Sequence, residues 1–327
     1  MKQSLNLMLG GDVMLARGVG RVINENGVDY PFEEIRRLTK QADCFFVNLE
    51  CALSSRPLGE FAAQKKFRFK ADPEAVGVLT DAGVDLVTLA NNHALDAGPD
   101  SLFDTLQTLH YNNIRFTGAG GNRQEASKLC RMECNGVELG VLSYCDHEEA
   151  FAAGTDSPGI RFADLSDARE YSNILEEVRQ ASSLVDHLIV SFHWMPNWVR
   201  RIPGAYRRLA KDLAEAGARI VWGHSPHHIL GTEWIDESII LYSTGDLLDD
   251  YALDSHFRND RQLLYTVTLD KNRIYELHAH PLELKFGRTL FAGPEARKWI
   301  RQWLEKTCKE VGSSVVHKDQ QFEIIPG

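Results

Sequence analysis

A chain of 327 residues with 43% hydrophobic and 25% charged side chains has ordinary globular composition, which argues against a disordered or low-complexity protein. A net charge of −10 without any basic run argues against a nucleic-acid surface as its main business. No stretch approaches the ~20 apolar residues of a membrane span, and the start Met1-Lys2-Gln3-Ser4 leads into no cleavage-site pattern. The expectation is a cytoplasmic chain without a membrane anchor. Its six scattered cysteines fit buried free thiols in a reducing compartment better than disulfides.

In chain order, residues 5–9 read as a first strand that turns at Gly10-Gly11 and presents Asp12. Glycine there permits a tight turn with the backbone close to a ligand. Asp12 is then either a ligand-type group or a turn carboxylate capping the next segment. Residues 31–40 have helical spacing, with Phe32, Ile35 and Leu38 on one face. Cys44-Phe45-Phe46-Val47 is a continuous apolar run of the kind buried on both faces of a sheet, and it ends at Asn48-Leu49-Glu50. Glu50 is either a surface charge or, opposite Asp12, a carboxylate for a hard or borderline cation. Residues 53–70 carry Arg56, Lys65, Lys66, Arg68 and Lys70 among Pro, Gly and Ala. They read as an extended loop whose cations are solvated by default, or else face an anionic substrate.

Asp72-Pro73 opens a helix that stops at Gly83. The strand over 84–90 ends in Asn91-Asn92-His93. An Asn carbonyl oxygen is a neutral metal ligand, and a neighbouring His can serve as a general acid. A helix over 99–110, a short strand from 114, and strands 128–132 and 137–144 around Asn135-Gly136 follow. Residues 146–162 are irregular and 167–182 helical, after which the strand 187–192 delivers His193-Trp194. A helix over 203–216 leads to Arg219-Ile220-Val221-Trp222 and then Gly223-His224-Ser225-Pro226-His227-His228. Imidazoles clustered at a strand end are either a metal site or capping and packing histidines. A hairpin over 229–242 ends in Ser243-Thr244-Gly245-Asp246, and antiparallel strands over 262–284 precede a helix and tail. No repeat or linker interrupts the chain, so 1–327 reads as one domain: a motif core over 5–285, then a C-terminal helix and tail over 290–327.

Successive strand ends thus offer Asp12, Glu50, Asn92 with His93, His193, and His224 with His227. Ligands of open α/β folds bind beyond the carboxyl ends of strands. Two anions, an amide and three imidazoles suit two divalent cations that share a carboxylate and clamp the oxygens of a phosphate.

The order Gly-Asp-Val-Met-Leu, Asn-Leu-Glu, Ala-Asn-Asn-His-Ala-Leu-Asp, His-Trp, Gly-His-Ser-Pro-His and Tyr-Ser-Thr-Gly-Asp resembles the CapA family. That family is named for a poly-γ-glutamate capsule synthesis protein and is similar to the calcineurin-like metallophosphoesterases. The resemblance spans about residues 5–285. It implies an α/β fold, a four-layer αββα sandwich with a di-metal site at its loop ends. It implies Asp12 on one metal, Glu50 bridging both, and Asn92, His193 and His224 on the second. His227 would return to the first metal, with His93 as general acid and Arg17 and Trp194 as substrate contacts. The metals implied are Mn, Fe or Zn, with Mn favoured.

Two departures stand out. Met14 occupies a position where the wider superfamily has His, which leaves the first metal weak or absent. Ser225 stands where the family often has His, so His227 is preferred over His228 as a ligand by judgement. The expected activity is hydrolysis of a phosphate ester or anhydride on a small or peptide-like anionic substrate, with a metal-bound hydroxide attacking phosphorus. The alternatives are hydrolysis or transfer at a γ-glutamyl amide or acyl phosphate, and a non-catalytic accessory module with a vestigial site. Members tied to capsule export commonly carry a membrane anchor, and its lack here weakens a direct role in surface polymer handling.

Overall fold

Alternation along the first strand sets the layering. In β1 (Leu5–Val13), Leu5, Leu7 and Leu9 enter one apolar core while Met8 enters another, because successive side chains of a strand point to opposite faces. The computed structural model describes residues 4–327; residues 1–3, part of the start read above for a targeting signal, lie outside them. Nine further strands carry the architecture: β2 (Cys44–Leu49), β3 (Leu86–Thr88), β4 (Val137–Cys145), β5 (His187–His193), β6 (Ala218–His224), β7 (Ser238–Leu241), β8 (Asp246–Leu248), β9 (Arg261–Leu269) and β10 (Ile274–Lys285).

One sheet runs in the order β10, β9, β1, β2, β3 and closes with Arg115–Thr117, while β8 joins β1 in parallel. The second sheet runs Thr232–Ile235, β7, β6, β5, β4 and Cys130–Cys134. β1, β2 and β3 are parallel to one another, as are β4, β5, β6 and β7. Their apolar runs are therefore continuous, as expected of strands covered on both sides.

Three cores separate the layers. Between the sheets, Leu5, Leu7, Leu9 and Phe46 meet Leu139, Val141, Ile220 and Trp222. Outside the first sheet, Met8, Phe45 and Val47 share a core with residues of α1 (Arg17–Asn26), α2 (Val76–Ala82) and α3 (Pro99–Tyr111). Outside the second, Leu142, Val190 and Val221 share one with residues of α4 (Ala168–Ser182) and α5 (Gly204–Glu215). The result is a four-layer αββα sandwich. Each fully buried Leu, Ile, Val or Phe in these cores contributes roughly 1.5–3 kcal/mol. A polar strut also joins the sheets, since the Trp222 indole N–H donates to the Gly10 carbonyl at 3.0 Å.

Several local expectations are corrected. Residues 31–40 form only one helical turn, Arg36–Thr39, although Phe32 and Ile35 are buried as their spacing required. The tail after the last helix, Pro294–Glu310, is a hairpin of Ser313–His317 and Phe322–Pro326 that pairs with β10. The cysteines are not all free thiols, because Cys44 and Cys134 form a disulfide, their Cα atoms 6.7 Å apart. They lie 90 residues apart in sequence, and only the face-to-face packing of the two sheets brings them together. Among the described residues no helix is long and apolar enough to cross a membrane.

Gly11 is where β1 and the turn before β8 come closest. A Cβ there would sit far inside contact with the Gly245 carbonyl, and Asp12 donates its N–H to that same oxygen at 2.9 Å. Overpacking of this kind costs about 1–3 kcal/mol. Gly11→Ala should lower the unfolding free energy by that amount, seen as a lower urea midpoint; an unchanged midpoint would show that the two strand ends can separate freely.

Candidate metal centre

The parallel registers align the ligand-type residues at one end of the sandwich. Asp12 is level with Asn48 on one side and Asp246 on the other, and His193 is level with His224 in the second sheet. Glu50 follows β2 directly and donates its N–H to the Val13 carbonyl at 2.9 Å, so its carboxylate is held beside that of Asp12. All of these side chains are buried, each no more than 1% exposed. The turn after β6 holds Ser225 and His227 at φ 94° and 61°, a left-handed backbone that costs non-glycine residues of order 1–3 kcal/mol each. The turn places the His227 ring between Asp246 and Asp12.

Asp12, Glu50, His227 and Asp246 have ligand-type atoms that all lie within 4.8 Å of one another. His227 Nδ1 is 2.9 Å from Asp246 Oδ1 and 3.9 Å from Asp12 Oδ2. This group could hold a metal ion. Around it, His224 Nδ1 is 3.1 Å from Asp12 Oδ1, and His193 Nε2 is 3.7 Å from Glu50 Oε1. Asn92 Oδ1, His193 Nε2, His224 Nε2 and Asp246 Oδ2 are buried with no hydrogen-bond partner among the described residues. Native interiors leave few such atoms unmet, and a bound ion is one of the accepted reasons for it. Carboxylate oxygens, an amide oxygen and imidazole nitrogens are also the donors divalent cations take. The residues present therefore fit a bound divalent metal.

A supporting shell holds these groups. Asn48 donates from Nδ2 to Asp12 Oδ1 at 2.8 Å, while its Oδ1 accepts from Thr88 at 3.0 Å and Asn91 at 3.1 Å. Tyr251 donates its hydroxyl to Glu50 Oε2 at 3.0 Å and sets its ring edge-on to His227. Met14 points away into the core, where its sulfur accepts the Ala16 N–H at 3.1 Å. His228 is also turned away, with Nε2 2.9 Å from the Val199 carbonyl and its ring against Phe257.

The electrostatics follow from burial. Desolvation raises the Glu50, Asp246 and Asp249 carboxyls well above their usual range, with the Asp12 charge adding at Glu50 and Asp246 and the Asp246 charge at Asp249. Asp12 is the exception. Burial pushes it up, but its hydrogen bond with His224 and the charges of His224, His193 and His227 together outweigh this and hold it low. Burial pulls His193 well down. One negative charge is thus stabilised at the centre, while at Glu50 and Asp249 the pull of His227 does not offset burial.

His93 stands beside this group. Its Nδ1 is 2.5 Å from Asp96 Oδ2, its N–H donates to Asn91 Oδ1 at 3.0 Å, and its ring stacks on Phe69 at 3.9 Å. Burial lowers it to about 4, against the opposing pull of Asp96. Arg17, at φ 56°, lies over the Phe67 and Phe69 rings and 3.3 Å from Asp250, which puts it at the rim. Trp194 is a correction: it is fully buried, stacks between Phe192 and Tyr242, and gives its indole N–H to the Tyr242 carbonyl at 2.9 Å. It cannot touch a substrate. Asp246 is the site residue that the sequence reading passed over, although it ends Tyr-Ser-Thr-Gly-Asp just after an apolar strand, as Asp12 and Glu50 do. A surface cavity of about 930 Å³ elsewhere is lined by His110, Arg115, Lys128 and Arg131 and by none of these groups.

The fold and this cluster define an αββα sandwich with a buried Asp, Glu and His group at its strand ends. Residues 6–251 match the family model described as bacterial capsule synthesis protein PGA_cap, and the chain belongs to that family. It is 28% identical to a probable polyglutamine synthesis accessory protein of Mycobacterium tuberculosis, across 98% of this chain and 96% of that one. It is 26% identical to the capsule biosynthesis protein CapA of Bacillus anthracis, across 98% and 78%. Among solved structures it is similar to a hypothetical protein from Thermus thermophilus, with a TM-score of 0.51 and 16% identity, across 86% of this chain and all of that one.

Metal-free protein should gain stability when Mn²⁺ is added, by about 2.7 kcal/mol at one hundred times Kd. Asp246→Asn removes a carboxyl whose ionised form burial and Asp12 disfavour, so it should raise the melting temperature of the metal-free protein while weakening the Mn²⁺ response. A lower metal-free melting temperature with an undiminished Mn²⁺ response would contradict that role for Asp246.

Proposed function

We propose that this chain is a metal-dependent phosphoesterase that holds two divalent ions and hydrolyses a small or peptide-like anionic phosphate. The carrying observation is the set of buried, unmet ligand-type atoms at Asn92, His193, His224 and Asp246 placed beside a His93–Asp96 pair. Asp12, Glu50, His227 and Asp246 would hold one ion, and Asn92, His193 and His224 the other, with Glu50 between them. Such ions, Mn²⁺ being favoured, polarise a phosphoryl oxygen and make water acidic when bound.

This chain's own residues supply the rest. Asp96 fixes the His93 ring through Nδ1, which leaves Nε2 as the nitrogen free for a leaving oxygen. The bare ring is neutral at pH 7, given its value of about 4. A dianionic phosphate bound opposite would add the negative charge that favours the imidazolium, so the acid forms when substrate is present. His93 would then give its Nε2 proton to the departing oxygen. Arg17 at the rim and Tyr251 over Glu50 would orient the substrate and exclude water.

A second reading keeps the site and changes the bond. Relatives bear the words polyglutamine synthesis and capsule biosynthesis in their names, which favours a γ-glutamyl amide or acyl phosphate as the scissile group. Ions that polarise a phosphoryl oxygen also polarise a carbonyl.

The test is Mn²⁺-dependent hydrolysis of an aryl phosphate and of a γ-glutamyl anilide by the wild type and by His93→Asn. The proposal expects phosphate turnover, reduced about 10²–10⁴-fold in the variant with metal content unchanged. Anilide turnover alone would move the assignment to the amide bond. Neither turnover, with no metal bound, would leave an accessory role.

A further inference from the structure

The cations of the 53–70 loop do not share one fate. Arg56 pairs with Asp104 at 2.8 Å, Arg68 bonds the Gly59 carbonyl at 2.8 Å, Lys70 bonds the Ser54 carbonyl at 2.9 Å, and Lys66 lies over Phe67. Lys65 turns inward. Its side chain is only 13% exposed, and Nζ is 2.7 Å from Asp96 Oδ1, 3.6 Å from Glu148 Oε2 and 4.7 Å above the Phe151 ring. Nζ also donates to the backbone carbonyl of Asn92.

We propose that Lys65 is a positioning residue of the catalytic centre, which locks the Asp96–His93 pair and the metal-facing Asn92 in place from a loop outside the sandwich. The proposal rests on the hydrolase reading of the same site. Asp96 is fully buried and uses its whole carboxylate: Oδ2 faces His93 Nδ1 and accepts the Phe69 N–H at 2.7 Å, and Oδ1 accepts from Lys65. Removing the cationic partner of a buried carboxylate leaves an uncompensated charge, so Asp96 moves from its place and releases the Nδ1 end of His93. The same ammonium holds the Asn92 carbonyl, so the residue that offers Oδ1 to a metal and the residue that offers a proton share one anchor. Phe69, four residues on in the same loop, covers the His93 ring. The loop therefore sets both the tilt and the hydrogen bond of the acid.

The test compares wild type, Lys65→Met, Lys65→Gln, Asp96→Asn and the Lys65→Met/Asp96→Asn double variant on two esters. One is a nitrophenyl phosphate, whose leaving group needs little protonation; the other is an alkyl phosphate, which needs it. General-acid contributions are about 10²–10⁴-fold. The proposal expects kcat/KM on the alkyl ester to fall about 100-fold in both Lys65 variants, at least about ten-fold more than on the aryl ester. It expects the double variant to fall no further than Asp96→Asn, because residues acting as one unit are not additive. A readout that needs no turnover runs alongside. In protein labelled with ¹⁵N at histidine, the far-downfield His93 Nδ1 proton should vanish in Asp96→Asn and move in both Lys65 variants, with metal content unchanged. Equal losses on the two esters, or a proton resonance that stays in place, would overturn the proposal. If wild type turns over neither ester, the hydrolase reading fails, and the resonance alone then decides the role of Lys65.

Discussion

Everything at the working end of this sandwich depends on one electrostatic constraint, the crowding of buried carboxylates. Asp12, Glu50, Asp246 and Asp249 are each at least 93% buried, and all but Asp12 are pushed toward the neutral form by burial and by one another. A hydrophobic core of the same shape would be more stable. The arrangement makes physical sense as a cradle for cations, whose charge offsets the desolvation that the carboxylates suffer. The surrounding structure is built to hold that crowding. Parallel registers keep the strand ends level, a glycine lets two backbones nearly touch, and a left-handed turn fixes His227.

The two departures from the superfamily pattern look different once the structure is known. Met14 leaves no gap, because its sulfur takes an N–H and its side chain joins the core. Asp246 stands level with Asp12 on the neighbouring parallel strand and brings a carboxylate to the side that lacks the imidazole. Its carboxylate adds to the oxygen donors that divalent cations take. Ser225, at the other departure, sends its N–H toward Asp12 at 3.3 Å and lies 3.0 Å from His147 Nε2. It supports the site and offers no metal a nitrogen.

Much of this was legible in the sequence, and the reason is geometric. A buried parallel strand shows as an unbroken apolar run, and its next polar residue must lie at the sheet's carboxyl edge. Asp12, Glu50, Asn92, His193 and His224 were readable as strand-end residues in that way, whereas the αββα layering came from the family resemblance. The failures were of another kind. The resemblance implied Trp194 as a substrate contact, but it is fully buried, because one step along the chain from His193 reverses the direction of a side chain. Cys44 with Cys134, and Lys65 with Asp96, meet only after the sheets and loops pack, so no local pattern announces either pair. Asp246 obeyed the strand-end logic and was missed because its strand is short and polar turn residues precede it.

The most direct test of the account is the number of Mn²⁺ ions bound per chain, measured by equilibrium binding to chelator-stripped protein and repeated on His193→Ala and His227→Ala. The account predicts two ions in the wild type, with each substitution weakening a different one. A wild type that binds none, or variants that both bind as the wild type does, would contradict it.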